Sequence, residues 1–195
     1  MDSIRYWVTL LVLMSLPPSI FLWLLIHPFG GFWRRFSPWV TYSILGAATG
    51  LMMWGVYLLK EPLMASDFGT NYVTIFFGVV AWILGSIIAL KRRRHLTAAV
   101  LSGLPQVSAG RYPGTLLQEG IYGTLRHPRY VEVLLWVLGY ALFGNYLSLY
   151  LGFLLTIPSL LFVVELEERE LNQRFGDAWE EYARRVPRFV PRRGT

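Results

Sequence analysis

Two short stretches of this 195-residue chain carry most of the side chains able to do chemistry. The first is Glu119-Gly120-Ile121-Tyr122-Gly123-Thr124-Leu125-Arg126-His127-Pro128-Arg129-Tyr130. Its glycines allow close backbone approach or positive φ. Pro128 suits the first turn of a helix, where its missing N–H costs nothing, and this puts His127 at the cap. A helix N-terminus presents unpaired N–H groups and about half a positive charge, so it attracts anions. Arg126, His127 and Arg129 add further donors around it. The competing reading is a membrane-surface turn whose cations meet lipid phosphates.

The second stretch is Glu165-Leu166-Glu167-Glu168-Arg169-Glu170. At helical spacing Glu168 shares a face with Val164, Leu171 and Phe175, and Glu167 borders it. A buried carboxylate needs a cationic partner, and near a bilayer such a group is a functional candidate. Ion pairing with residues 126–129 is the purely structural alternative. Glu165 and Glu170 belong to solvated faces.

Other chemistries find no support. With no cysteine, disulfides, thiolate metal sites and cysteine nucleophiles are excluded. His27, His95 and His127 are scattered and lack metal-ligand spacing, so no metal site is expected. Neither a Gly-x-Gly-x-x-Gly loop, a Walker loop nor a serine nucleophile elbow occurs. The net charge of +6 comes from basic residues beside apolar spans, which is membrane topology rather than a nucleic-acid footprint.

The elements that must position these residues are membrane helices. The chain is 54% hydrophobic and 15% charged, against about 25% charged in soluble domains. Eight tryptophans suit anchorage at two lipid–water interfaces. About 20 apolar residues cross a bilayer core, and Tyr6–Ile26, Trp39–Leu59 and Asn71–Leu90 reach that length. The first is too long for a signal core and no cleavage site follows it; Pro17-Pro18 predicts a kink within it. The run Lys91-Arg92-Arg93-Arg94-His95 and the turn Arg34-Arg35 fall on one side, which the positive-inside rule makes cytoplasmic. The N-terminus and the Lys60–Thr70 loop are then outside.

Residues 131–164 form a second apolar region whose one charge is Glu132. Gly144-Asn145 divides it into a hairpin, with a first arm of about 13 residues and a longer second arm. The expected fold is therefore all-α: a polytopic membrane protein with five transmembrane helices, N-terminus outside and C-terminus cytoplasmic. The second arm continues as an amphipathic helix that Gly176 stops. Asp177 and Glu180 read as a capping box for a last helix presenting Trp179 and Tyr182. Residues 1–95 form an N-terminal three-helix part and 96–195 a catalytic part.

Together the two stretches resemble the isoprenylcysteine carboxyl methyltransferase family. The resemblance lies in Gly120-x-Tyr122-x₃-Arg126-His127-Pro128-x-Tyr130 and in Glu167-Glu168-x-x-Leu171-x₃-Phe175-Gly176-x-x-Trp179-x-x-Tyr182-x₃-Val186-Pro187, across residues 110–191. It implies a prokaryotic plasma-membrane transferase using S-adenosyl-L-methionine, with S-adenosyl-L-homocysteine as product. The acceptor is a lipophilic small molecule or prenylated group, such as an isoprenylcysteine carboxylate, entering from the bilayer. The implied cofactor site comprises Leu116, Leu117, Gln118 and Glu119 along the adenine, with Gly120 and Pro128 shaping the backbone. Tyr122 and Tyr130 supply hydroxyls and ring faces, Arg126 and His127 meet the carboxylate, and Glu167 or Glu168 meets the ammonium. Arg126, Arg129 and Glu167 are the implied catalytic groups, with Arg126 open between orienting the acceptor and binding the cofactor. Glu132 stands where the family usually has glycine, and Val163 where eukaryotic members carry an arginine. Related chains include phospholipid N-methyltransferases and NADPH-dependent sterol-type reductases; a non-catalytic scaffold is the remaining alternative.

Overall fold

In the computed structural model, which describes residues 1–26, 29–33, 35–93 and 116–191, every regular element is helical. His27, His95, Arg94, Arg34, Arg192 and Arg193 lie outside the described residues, as does the polar stretch up to Thr115. In chain order the helices are α1 (Asp2–Ile26), α2 (Gly30–Trp33), α3 (Pro38–Leu58), α4 (Lys60–Met64) and α5 (Tyr72–Arg93). A 3₁₀ turn (Gly120–Gly123), α6 (Pro128–Gly144), α7 (Leu147–Phe175) and α8 (Asp177–Arg185) follow.

Helices α1, α5 and α7 are long and apolar enough to cross a membrane. Trp7, Leu11, Leu51, Trp54, Phe76, Phe77, Leu154 and Leu155 are all exposed on the helix surfaces. A belt of this size is far beyond the scattered apolar residues of a soluble surface, and it suits contact with lipid. The chain is an integral membrane protein.

Local chemistry sets the helix ends. Ser37 caps α3, its Oγ accepting from Val40 N at 3.4 Å, with Pro38 in the first turn. Asn145 closes α6 in the left-handed conformation at φ 57°, which its short polar side chain tolerates. This makes the expected hairpin, although the first arm has 17 residues rather than about 13 because the helix begins at Pro128. The second arm is a single 29-residue helix, as its amphipathic continuation predicts. Gly176, at φ 52°, ends α7 and starts α8. That corrects the capping box: Asp177 is inside the first turn of α8, and no side-chain cap bond forms. Its carboxylate still sits at the positive end of the helix dipole.

Helix α6 is the hub, packing against α5, α1 and α7. Its contact with α5 is antiparallel and close because both faces carry glycine. A Cβ on Gly78 would lie 2.9 Å from the Gly139 carbonyl, and one on Gly85 would lie 2.6 Å from Trp136 Cδ1. Small residues of this kind let helix backbones approach in lipid, where dispersion rather than water exclusion drives association.

Two buried arginines tie the ends of the bundle. At one end Arg5 donates to the Gly144 carbonyl from Nε at 3.0 Å and Nη2 at 2.8 Å, pairs with Asp2 and Asp67, and lies over the Tyr146 ring. It thus joins the start of α1 to the end of α6. At the other end Arg92 meets Glu132 through Nε at 2.8 Å and Nη2 at 3.1 Å, joining α5 to α6. Among the described residues of the basic run, Arg92 is buried in packing rather than left to mark topology.

Candidate functional site

The site lies where the start of α6 meets the C-terminal half of α7 and the segment after α8. His127 is the N-cap of α6 with Pro128 in the first turn, as the sequence requires. Its side chain makes no cap bond and turns instead toward α7. Nε2 lies 2.9 Å from Glu168 Oε1, and Nδ1 lies 3.6 Å from Glu167 Oε2. One turn on, the Tyr130 hydroxyl donates to Glu167 Oε2 at 2.8 Å. The two motifs are thus joined by direct contact, across about 40 residues of sequence.

The paired glutamates have different surroundings. Glu168 is buried and is held by three cations: Arg126 at 3.0 Å, His127, and Arg188, whose guanidinium meets both carboxylate oxygens. Glu167, with a side chain 34% exposed, is the more open carboxylate. Burial alone would lower the His127 pKa. Hydrogen bonds and charge from Glu167 and Glu168 outweigh that and hold it above its ordinary value. The shift favours the imidazolium form.

The segment after α8 straps the site. Pro187 and Arg188 carbonyls accept from Arg126 N at 2.9 Å and His127 N at 3.1 Å. Trp179, Tyr182 and Val186 form a small apolar cluster on which Leu116 packs, and the Tyr182 hydroxyl donates to the Tyr122 carbonyl at 2.8 Å. Burial pushes the Tyr182 phenol up to about 12 and raises that of Tyr122 further. Arg185 reaches Gln118 Oε1 at 3.0 Å, and Gly120 takes a positive φ of 59° in the 3₁₀ turn.

Of the residues singled out in the sequence, Arg126, His127, Tyr130, Glu167 and Glu168 are in mutual contact, and Tyr122 adjoins them through the Tyr182 bond. Leu116 and Gln118 brace α8 and its end. Leu117 is half-buried and Glu119 is exposed at the cap of the 3₁₀ turn. Arg129 points away from Glu168: its Cζ lies 3.9 Å from the Trp23 ring centroid on α1. Arg188 is the one contributor the sequence reading missed. The signal available was its place directly after Val186-Pro187, at the end of the second motif.

A zwitterionic ligand needs an acidic and a basic receptor, and both kinds of group are present here. Arg126 uses Nη1 on Glu168, while its buried Nε has no hydrogen-bond partner. That orphan donor fits a ligand carboxylate, and Glu167 fits an ammonium. Glu168, with three cations already on it, does not.

Residues 73–178, just over half of the chain, match the family described as phospholipid methyltransferase. The protein-S-isoprenylcysteine O-methyltransferase of Schizosaccharomyces pombe is 38% identical over 77 residues, covering 39% of this chain and 33% of that protein. The cobalt-zinc-cadmium resistance protein CzcN of Cupriavidus metallidurans is 40% identical over 88 residues, covering 43% of this chain and 39% of that protein. The matched region thus spans little more than a third of the length of these relatives. No solved structure matches the chain. The matched interval covers just over half of the chain, runs from α5 to the start of α8 and contains the first motif and the paired glutamates of the second, and on that ground the chain belongs to the phospholipid methyltransferase family.

Proposed function

We propose that this protein is a membrane methyltransferase that uses S-adenosyl-L-methionine to methylate a lipophilic acceptor, with the carboxylate of an isoprenylcysteine-like molecule as the favoured class. The observation that carries this reading is a buried donor lacking a partner, Arg126 Nε, in the same site as the partly exposed carboxylate Glu167. The chemistry supplied by the cofactor when bound is an electrophilic methyl group on a sulfonium sulfur. Glu167 holds the ammonium of that cofactor with Tyr130 fixing its carboxylate, and Arg126 holds the carboxylate end. Glu168 is a positioning residue: it fixes Arg126, His127 and the strap around Arg188. The half-buried ring of Tyr122 would supply a face that favours a cation, while Tyr130, buried in the core, contributes through its hydroxyl on Glu167. The Leu116–Glu119 segment flanks the adenine end, consistent with its packing on α8.

A carboxylate acceptor is already ionised at neutral pH. It needs no general base, and the two glutamates beside His127 favour its protonated form. The residues therefore act by alignment and by excluding water, which contribute several kcal/mol. The family description favours a second acceptor class, a phospholipid amine. Such an amine must lose a proton first, so its methylation would rise steeply with pH.

The reading carries a topology of five spans. Besides α1, α5 and α7, the 21 residues of α3 and 17 of α6 give about 31 Å and 26 Å of helix at 1.5 Å per residue. The Arg92 end and the site then face the cytoplasm and the Arg5 end faces outside. Residues 1–95 supply the membrane scaffold and 96–195 the catalytic part.

Calorimetric titration of detergent-purified protein with S-adenosyl-L-homocysteine, with NADPH in parallel, tests the proposal. Saturable binding of the first, lost in Glu167→Gln, is the expected result. Binding of NADPH alone would move the chain to the reductase branch, and binding of neither would favour a scaffold.

A further inference from the structure

Arg92 is in an unusual position for a residue at the end of a basic run. It is 5% exposed, and two of its guanidinium nitrogens are consumed by the equally buried Glu132. The third, Nη1, is buried and meets no acceptor. A buried charged donor without a partner is costly to keep, so the arrangement calls for an anion or a water at that nitrogen. Glu132 accepts from Arg92 along one edge of the guanidinium, which leaves the other edge fixed in direction.

A second guanidinium lies close by. Arg129, one turn before Val133 on α6, stacks on Trp23 and forms no ion pair among the described residues. Arg92 and Arg129 both act electrostatically on the Tyr122 ring, as does Glu167, so the two arginines border the site described above. The 3₁₀ turn carrying Tyr122 also packs on α5. With Glu167 facing the cofactor ammonium, Glu132 is the one carboxylate left near the two arginines and it pairs with Arg92, so the local excess is one positive charge, on Arg129. Above them, between α1 and α6, runs an apolar cavity of about 400 Å³ lined by Val8, Val12, Leu16, Val133, Val137 and Tyr140. Its lower end, at Ser19 and Val133, is one helical turn from Trp23 and Arg129. A volume of this order suits a single lipid-like chain.

We infer that Arg92, positioned by Glu132, and Arg129, resting on Trp23, form the anchor for the anionic head of the acceptor, whose apolar tail lies between α1 and α6. This rests on the methyltransferase reading and narrows its substrate to a lipophilic monoanion. The recognised chemistry is a singly charged oxyanion, carboxylate or phosphate.

The test compares three probes with one tail: N-acetyl-S-farnesylcysteine, its neutral methyl ester, and methyl farnesyl phosphate, a singly charged phosphodiester. Their binding to the detergent-purified full chain is measured alongside that of S-adenosyl-L-homocysteine. The wild type should bind the acid about ten-fold or more tightly than the ester, with the phosphate showing whether carboxylate or phosphate is preferred. The double variant Arg92→Met/Glu132→Met replaces a buried ion pair by apolar side chains, a change often neutral for folding. It should bring the acid-to-ester ratio near one while S-adenosyl-L-homocysteine binding persists. Arg92→Lys, which keeps the charge but not the fixed second edge, should fall between. An unchanged ratio in the double variant, or equal binding of acid and ester by wild type, overturns the anchor. If the wild type fails to bind S-adenosyl-L-homocysteine yet selects anions through Arg92, the cofactor reading falls and the anchor stands.

Discussion

Replacing Glu168 by glutamine should cost fold stability, whereas the same change at its neighbour Glu167 should cost ligand binding. Glu168 faces Arg126, His127 and Arg188. Removing one partner from a buried charge pair costs about 3–5 kcal/mol. Two of the three cations have an escape. Arg188, 43% exposed, turns to water, and His127 keeps Glu167, the larger of the two carboxylate influences on it, as a partner. Arg126, 12% exposed, stays and is left against the Trp179 ring. The loss therefore falls at the lower end, about 3 kcal/mol. At about 2–4 °C per kcal/mol for a chain of this size, Tm drops by about 6–12 °C. The assay is thermal unfolding in detergent by tryptophan fluorescence from pH 5.5 to 9. A His127 pKa raised on folding gives stabilisation that is complete below the unfolded value of about 6.5 and is lost as pH rises through the folded value. Wild-type Tm should therefore decline as pH rises from about 6.5 through the folded value, and Glu168→Gln should reduce that decline in part, with Glu167 supplying the rest. Glu167→Gln should leave Tm within about 2–4 °C while weakening S-adenosyl-L-homocysteine binding at least about ten-fold. A Glu168→Gln protein that melts with the wild type and keeps its alkaline decline in full would refute the reasoning.

Gly78→Ala places a Cβ 2.9 Å from the Gly139 carbonyl, a backbone atom that moves only with its helix. It should cost about 1–3 kcal/mol despite better helix propensity, whereas Gly46→Ala, which meets nothing within 4 Å, should be neutral or slightly stabilising by the same melting assay. Arg5→Met strips the Gly144 carbonyl and Asp67 of a buried donor and should lower Tm by an amount comparable with Glu168→Gln; an unchanged Tm would make the clamp ornamental. The chain has no cysteine, so single replacements report sidedness cleanly. Glu61→Cys should react with an impermeant maleimide in intact cells and Glu181→Cys only after lysis, and the reverse pattern would invert the topology.

Much of the site was legible because local chemistry enforced it. His127-Pro128 could hardly be anything but a helix start, Asn145 and Gly176 supply the left-handed or positive-φ residues that end helices, and the apolar stripe through Val164 and Leu171 marks which face of α7 turns inward. The capping box failed because a cap depends on which residue takes the non-helical conformation. Gly176, free to adopt φ 52°, took that place instead of Asp177. Arg188 was missed because nothing local distinguishes it from Arg184 or Arg185; only the return of the strap across Arg126 and His127 brings it to Glu168.

By itself the sequence determined the helical membrane architecture, since apolar length and helix-end chemistry are properties of contiguous residues. It also determined that two polar motifs, 40 residues apart, must find each other, since charged groups at the edge of lipid require partners. Only the tertiary structure decided how the charges were shared. Glu167 and Glu168 are adjacent in sequence, yet one turns to three cations and the other to an open site. Arg92 and Glu132 were a topology signal and a lone charge until the glycine contact of α5 with α6 brought them within 2.8 Å. Partner choice for a charge depends on distance and burial across helices, and those quantities exist only once the helices are packed.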